Sequence, residues 1–191
     1  WDGAVRVVVS PERPRRCALR LRIPGWCDSW SCRLNEETID PSVEAGYAVI
    51  DREWSDGDTV ELLLDMPVRR VYSHPSIRHN TRKVSLARGP VVYCLEEADN
   101  GTDLNNLTLP RDAELQAERN PDLLGGVVTI SGVGCSQSYD GWDGTLYRSD
   151  VPAHRVDRPF LAIPYYAWDN RGVGEMIVWI NLDLTQEEFD A

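Results

Sequence analysis

Long apolar runs are missing from this sequence. No stretch approaches the roughly 20 residues a helix needs to span a bilayer, and the opening residues lack the charged start and apolar segment of a secretory leader. A membrane partner is not expected. Clustered cations are missing as well: the formal net charge is −11, and only Arg13, Arg15 and Arg16 crowd together, in a loop broken by Pro14. Binding to a phosphate backbone or an anionic surface rests on such clusters, so no nucleic-acid partner is expected either. Lysine is reduced to Lys83, a sign of a GC-rich source that implies no mechanism.

Complete sets of metal ligands are also lacking. Cys27 and Cys32, with four residues between them, would suit two zinc ligands, but no second Cys/His pair completes a tetrahedron. No metal site is expected. The cysteines Cys17, Cys27, Cys32, Cys94 and Cys135 are odd in number, so they cannot all pair within one chain, and their spacing matches no disulfide framework. A reducing compartment, hence cytoplasmic residence, is the expectation. His74, His79 and His154 show neither the i, i+4 spacing of a zinc hydrolase nor a serine in a nucleophile elbow, so no catalytic histidine is assigned.

What is present is alternation. The 191 residues allow two small domains, and 42% hydrophobic content with seven Trp and seven Tyr is enough to pack a core. Val5, Val7 and Val9 alternate with Arg6 and Val8, and Cys17, Leu19, Leu21 and Ile23 repeat the period until Pro24-Gly25 breaks it. Residues 46–50 and 59–64 flank Ser55-Asp56-Gly57-Asp58, which reads as a hairpin with Gly57 at a positive φ and Trp54 as its anchor. Residues 66–75 carry Pro67 and Pro75 and form the candidate crossing between domains. Strands resume at 84–86, 91–95 and 127–130, extended structure is favoured over 109–124, and a Gly/Ser/Asp-rich loop is expected over 131–144. The last strong strands are 160–164 and 176–180. About a dozen short apolar runs between Gly, Pro, Asn and Asp clusters, without an amphipathic helix, predict an all-β sandwich class.

Two clusters could carry chemistry. In RGPVVYCLEEADN, residues 88–100, Cys94 stands near Glu96, Glu97 and Asp99. Tyr93 and Leu95 fall on one strand face with Val91, whereas Cys94 falls on the other with Val92 and Glu96, which makes the thiol an apolar filler and puts the acids where the strand end meets water. Neighbouring carboxylates raise a thiol's pKa, so the structural reading prevails and no catalytic residue is assigned. In FLAIPYYAWDNRGVGEMIVWI, Tyr165, Tyr166 and Trp168 offer aromatic faces for a sugar or a neighbouring domain, with Asn170 and Arg171 beside them; the alternative is that they plug a core between two sheets.

The ordered set LRLRIPGWC, GYAVIDREWSDGDTVELLLDMPVRRVYSHP, RKVSLARGPVVYCLEEADN, LLGGVVTI and IPYYAWDNRGVGEMIVWI resembles the C-terminal region of glycoside hydrolase family 127, the β-L-arabinofuranosidase family. The resemblance implies a parent enzyme with a helical (α/α)₆ barrel ahead of this region. It also implies that zinc is held within that barrel by cysteines and a glutamate, one cysteine being the nucleophile and a further glutamate the acid/base. The Cys-Cys pair of that site is absent from this sequence, so no catalytic or metal residue is carried over and no cofactor is expected in this fragment. The fold it implies is two antiparallel, jelly-roll-like β-sandwich domains, the second inserted before the last strand of the first. Residues 1–72 with 173–184 would form the first, truncated on its N-terminal side; 73–172 the second; 185–191 an acidic tail. Residues 176–181 would then pair near 5–9. The expected role is a non-catalytic accessory region supporting the helical barrel, with that barrel and a second copy of the chain as partners; the rival is an autonomous carbohydrate-binding module using the Tyr165/Tyr166/Trp168 cluster. Sugar and linkage specificity would rest with residues outside this sequence.

Overall fold

The computed structural model describes residues 1–150 and 155–183; His154 and the acidic tail at 185–191 lie outside the described residues. The regular structure of the described chain is almost entirely β-strand. Its α-helical content is the single turn Glu97–Asn100, and no described helix is long and apolar enough to cross a membrane. Two compact units divide it, Trp1–Pro67 and Val68–Ala191.

The first unit contains β1 (Ala4–Val9), β2 (Arg15–Arg22), β3 (Trp30–Leu34), β4 (Glu37–Ile39), β5 (Ser42–Glu44), β6 (Tyr47–Trp54) and β7 (Asp58–Leu64). They build a four-stranded sheet in the order β1-β7-β3-β4 and a three-stranded sheet β2-β6-β5, both antiparallel. Alternation places Ile50 and Trp54 of one sheet and Cys32, Val60, Leu62 and Leu64 of the other in one shared core. Trp54 is 1% exposed, and its indole N–H donates to the Cys17 carbonyl at 2.9 Å, so the largest apolar side chain also has its polar atom satisfied.

The expected hairpin between 46–50 and 59–64 does not form. Gly57 does take φ +85°, but β6 pairs with β2 and β5 whereas β7 pairs with β1 and β3, so residues 55–57 carry the chain from one sheet to the other. Both strands point apolar side chains into the same core from opposite layers, which neighbours in a single sheet could not do. Asp58 holds the corner: its carboxylate accepts the Ser55 N–H at 2.8 Å and the Asn35 amide at 2.7 Å.

The second unit contains β8 (Val68–Val71), β9 (Lys83–Arg88), β10 (Val91–Glu96), β11 (Thr108–Pro110), β12 (Leu115–Asn120), β13 (Val127–Gln137), β14 (Arg155–Pro164), β15 (Met176–Ile177) and β16 (Ile180–Asp183). The ladders β9–β10, β10–β14, β14–β13, β13–β11, β11–β16 and β16–β9 return to their start, closing six strands into a barrel. β8, β12 and β15 add to its outside edges. A jelly-roll-like sandwich is therefore not what this unit's strand order makes. Val84, Leu86, Tyr93, Leu95, Leu109, Ile130, Phe160 and Ile180 fill the interior with Leu104 and Leu107 from the short turn before β11. Each such Leu, Ile or Phe contributes about 1.5–3 kcal/mol by leaving water.

Three further expectations change. Residues 176–181 do not return to 5–9: Ile177 is opposite Leu95, Ile180 opposite Val84 and Leu182 opposite Leu109, while Val5 is opposite Leu62. Ile180, 2% exposed, is the plug that closes the ring between β9 and β11, a burial that pairing with the outer strand β1 would not provide. The division falls at 67/68 rather than 72/73, because β8 pairs with β9. Finally, the expected loop over 131–144 is strand as far as Gln137. Its glycines serve close approach: a Cβ on Gly134 would lie 2.6 Å from the Thr108 carbonyl oxygen, so only glycine lets β11 reach β13 there.

Candidate functional site

β10 and β14 run antiparallel, with Tyr93 opposite Pro164 and Cys94 opposite Ile163, so the aromatic turn leaves β14 beside Tyr93, and it is the following loop, through Arg171, that returns to the acidic end of β10. Cys94 is 2% exposed. Its thiol is pushed up to about 12, first by burial and then by the charges of Glu96 and Asp99, against which Arg171 pulls it down. At neutral pH the thiolate form is strongly disfavoured.

Glu96 does not meet water as expected. Its side chain is buried, and Arg171, 75 residues further along, lies against it. The guanidinium donates through Nε to Glu96 Oε2 at 3.2 Å and through Nη2 to the same oxygen, and it grips Asp99 in a bidentate pair, Nη1 to Oδ1 at 2.6 Å and Nη2 to Oδ2 at 2.5 Å. Hydrogen bonding to Asp99, ahead of that to Glu96, raises the Arg171 pKa further, so the charge is permanent. The other Glu96 oxygen, Oε1, accepts the Asp169 N–H at 2.9 Å. A second set of bonds parallels the first: the Glu97 N–H donates to the Glu175 carbonyl at 2.9 Å, the Glu175 N–H to Glu97 Oε2 at 2.9 Å, and Glu175 Oε2 accepts the Leu104 N–H at 2.8 Å. Acids that looked available for chemistry are engaged in holding one loop.

That loop displays the aromatics. After Pro164 the chain makes a 3₁₀ turn, Tyr165–Ala167, which buries Ala167 and turns its larger neighbours outward. Tyr165, Tyr166 and Trp168 are 44%, 66% and 42% exposed, so they do not plug the core. The Tyr165 and Trp168 rings stack with centroids 6.1 Å apart and planes 8° apart, within the range of an offset pair. The Asn170 side-chain amide donates to the carbonyls of Ala167 and Trp168, at 3.0 and 3.1 Å. Of the five expected contact residues, three are presented and two, Asn170 and Arg171, hold the presentation in place. Sequence reasoning missed Glu96 and Asp99 as the partners of Arg171; the available signal was one arginine in an exposed-looking turn and a surplus of acids elsewhere.

Among the described residues no group of three His, Cys, Asp or Glu side chains converges as a metal site. Cys32 is buried in the first core, where burial raises its pKa, and the Cys27 thiol donates to the Ser29 carbonyl at 3.0 Å.

Fold and site together define an all-β region of two units, the second presenting a clasped aromatic turn. Residues 1–66 match the model of the "Beta-L-arabinofuranosidase, GH127 middle domain" and residues 68–181 that of the "Glycoside hydrolase family 127 C-terminal domain". The chain belongs to glycoside hydrolase family 127. It is 36% identical to the non-reducing end β-L-arabinofuranosidase of Bifidobacterium longum subsp. longum, a match over 94% of this chain and 28% of that protein. The crystal structure of Ara127N-Se, a GH127 β-L-arabinofuranosidase from Geobacillus stearothermophilus T6, superposes with a TM-score of 0.91 at 51% identity, covering 96% of this chain and 29% of the other. A GH127 β-arabinofuranosidase structure at 30% identity gives 0.84, covering 96% and 30%. The chain thus spans under a third of the length of each of these relatives.

Proposed function

We propose that this region is a non-catalytic accessory part of a retaining β-L-arabinofuranosidase-like glycoside hydrolase, and that it supports a helical-barrel catalytic domain lying outside it, where zinc would be bound. One observation carries the reading: the thiol and carboxylates nearest to a catalytic constellation, Cys94, Glu96 and Asp99, are buried, protonated or ion-paired to Arg171. A glycosidase needs a nucleophile or base and a proton-donating acid facing a sugar, either two carboxyl groups or, as the family resemblance implies, a cysteine with a glutamate; here the thiol is buried and the two acids are ion-paired. The matched relatives, each over three times longer, are named for β-L-arabinofuranose or β-arabinofuranose hydrolysis, which supports the assignment of the parent's chemistry. Partners in this reading are the barrel and a second copy of the chain, met through the displayed aromatic turn. Cytoplasmic residence belongs to the same proposal, since all five cysteines are free thiols, the form that a reducing compartment maintains. The test is turnover: the 191-residue chain should not cleave an aryl β-L-arabinofuranoside with zinc and reductant supplied, and turnover abolished by Cys94→Ala would overturn the reading.

A second reading is favoured by the exposure of the stacked Tyr165–Trp168 pair. In it the turn is a carbohydrate-binding platform that works on its own. Calorimetry with arabinofuranosyl oligosaccharides decides between them: saturable heat lost in Trp168→Ala supports the platform, and absence of heat at millimolar ligand rejects it.

A further inference from the structure

The second unit carries a groove at the end of the barrel remote from the aromatic turn. β14 runs from Arg155, at the groove, to Pro164, where that turn begins, so strand rise separates the two surfaces by roughly 30 Å. Two clefts of about 550 Å³ and about 400 Å³ share Asn105, Asn106 and Gln137, and so form one continuous open depression. Tyr139 and Trp142 line one end; Arg155, Asn181 and Asp183 line the other.

The groove is built rather than left over from a loose loop. The Asn106 side chain donates to the Gln137 carbonyl at 2.9 Å and to Tyr139 Oη at 3.5 Å, and its Oδ1 accepts the Gln137 N–H at 3.0 Å. Tyr139 Oη donates in turn to Asp103. Arg148 lies over the Trp142 ring, 6.0 Å from its centroid, and pairs with Asp150 at 3.0 Å. Asn181 donates to the Asn105 carbonyl at 2.7 Å. Such bracing holds the lining side chains in place before any ligand arrives, which lowers the entropic cost of binding.

Its chemistry selects a ligand class. Arg155 is paired with Asp183, so the lining carries no uncompensated cation and Asp103 leaves it slightly negative. A phosphate or carboxylate ligand is disfavoured. Amides and carboxylates along the floor equally disfavour a purely apolar guest. What the groove offers is the ring surface of Tyr139, which is 69% exposed, next to Trp142, together with the side-chain amides of Asn105 and Gln137, which make no hydrogen bond to other described residues. An amide donates and accepts from one rigid plane, as a hydroxyl-rich ligand requires, and an aromatic face matches the C–H face of a sugar ring.

We propose that this groove binds a short neutral oligosaccharide, with Tyr139 and Trp142 against ring faces and the amides of Asn105 and Gln137 on hydroxyls. The site stands whether or not the region braces a catalytic domain, and it shares no residue with the aromatic turn.

The experiment is an NMR titration of the 191-residue chain with two probes, an L-arabinofuranosyl trisaccharide and cellotriose, which separate furanose from pyranose recognition. Saturable shifts at Asn105, Gln137 and the Trp142 indole are expected with at least one of them. Gln137→Ala should weaken binding about three- to tenfold, and Trp142→Ala at least about tenfold. Because Trp142 also braces its own loop, Asn105→Ala, which removes an exposed amide that supports nothing else described, should weaken binding as well. Trp168→Ala should leave it unchanged. No saturable shift with either probe at millimolar concentration, shifts confined to residues 165–168, or full affinity in Asn105→Ala together with Gln137→Ala would overturn the proposal.

Discussion

In the first unit two separate sheets meet across one core, whereas in the second six strands curl round theirs and close on themselves. The difference shows in how each handles charge. The first unit's buried carboxylate, Asp58, is held chiefly by neutral donors from Ser55 and Asn35 at a corner between sheets, with the nearby Arg52 guanidinium a more distant ion partner at 3.7 Å. The second buries Glu96 close to Asp99 and answers both with Arg171, drawing the answer from much further along the unit's chain. A closed ring leaves little freedom at β10, so a charge trapped at its end must find a partner there. The second unit is therefore the one that the loss of a single charged side chain can break.

Arg171→Met tests this with the largest effect. Glu96 and Asp99 would remain partly or wholly buried without their cation, which should cost about 3–5 kcal/mol. Hydrogen exchange should show protection lost across 83–137 and 155–183 and kept over 4–64. Replacing Glu96, Asp99 and Arg171 together by apolar residues of similar volume should recover much of that loss, because the ion cluster specifies the loop more than it stabilises the unit. Equal loss of protection in both units would remove the contrast.

Core truncations sharpen the topology. Trp54→Ala should cost the first unit about 3–5 kcal/mol and Ile180→Ala the second about 2–5 kcal/mol, each read by urea unfolding with exchange resolved by residue. If 176–181 belonged to the first unit, Ile180→Ala would open residues 4–9; the β16–β9 and β16–β11 ladders place the damage at 83–88 and 108–110 instead.

Titration should separate the units least. Cys94 and Tyr93 are each pushed up to about 12, burial being the first cause, from ordinary values of 9.0 and 10.0. The folded chain then keeps protons that the unfolded chain releases, so their contribution is complete below pH 9 and declines as pH climbs towards 12. Cys94→Ala should flatten that decline in the second unit. Cys32, raised by burial in the first, acts in the same direction there. On the acid side, Asp58 is held below its usual 3.8, first by the Ser55 N–H and then by the Asn35 amide. Its stabilisation is complete above that value and vanishes as pH falls through the lower folded value. Asp58→Asn should remove this acid dependence from the first unit and leave the second unchanged.

The all-β class was legible because alternation such as that of residues 5–9 or 17–23 is a local property. Extended structure over 109–124 appears as β11 and β12 for the same reason. Tyr165, Tyr166 and Trp168 were legible as one cluster because they are contiguous. Their exposure was not, since an aromatic run suits a core as well as a surface, and only the burial of Ala167 turned them outward. The residues 55–58 illustrate the limit: Gly57 has the backbone conformation that was expected of it, yet the strands it joins lie in different sheets. Turn chemistry acts over four residues, while sheet membership depends on partners throughout the unit.

By itself, then, the sequence determined the strands, the direction in which the acids push the Cys94 thiol and the family to which the chain belongs, because period, neighbouring charge and ordered motifs are all written within short reach along the chain. Only the tertiary structure decided that β16 closes a ring, that Glu96 and Asp99 clasp Arg171, and that Asn105, Gln137, Tyr139 and Trp142 share one groove. Each of these joins residues separated by tens of positions, and which edges and charges meet is settled by what must be buried together, not by spacing.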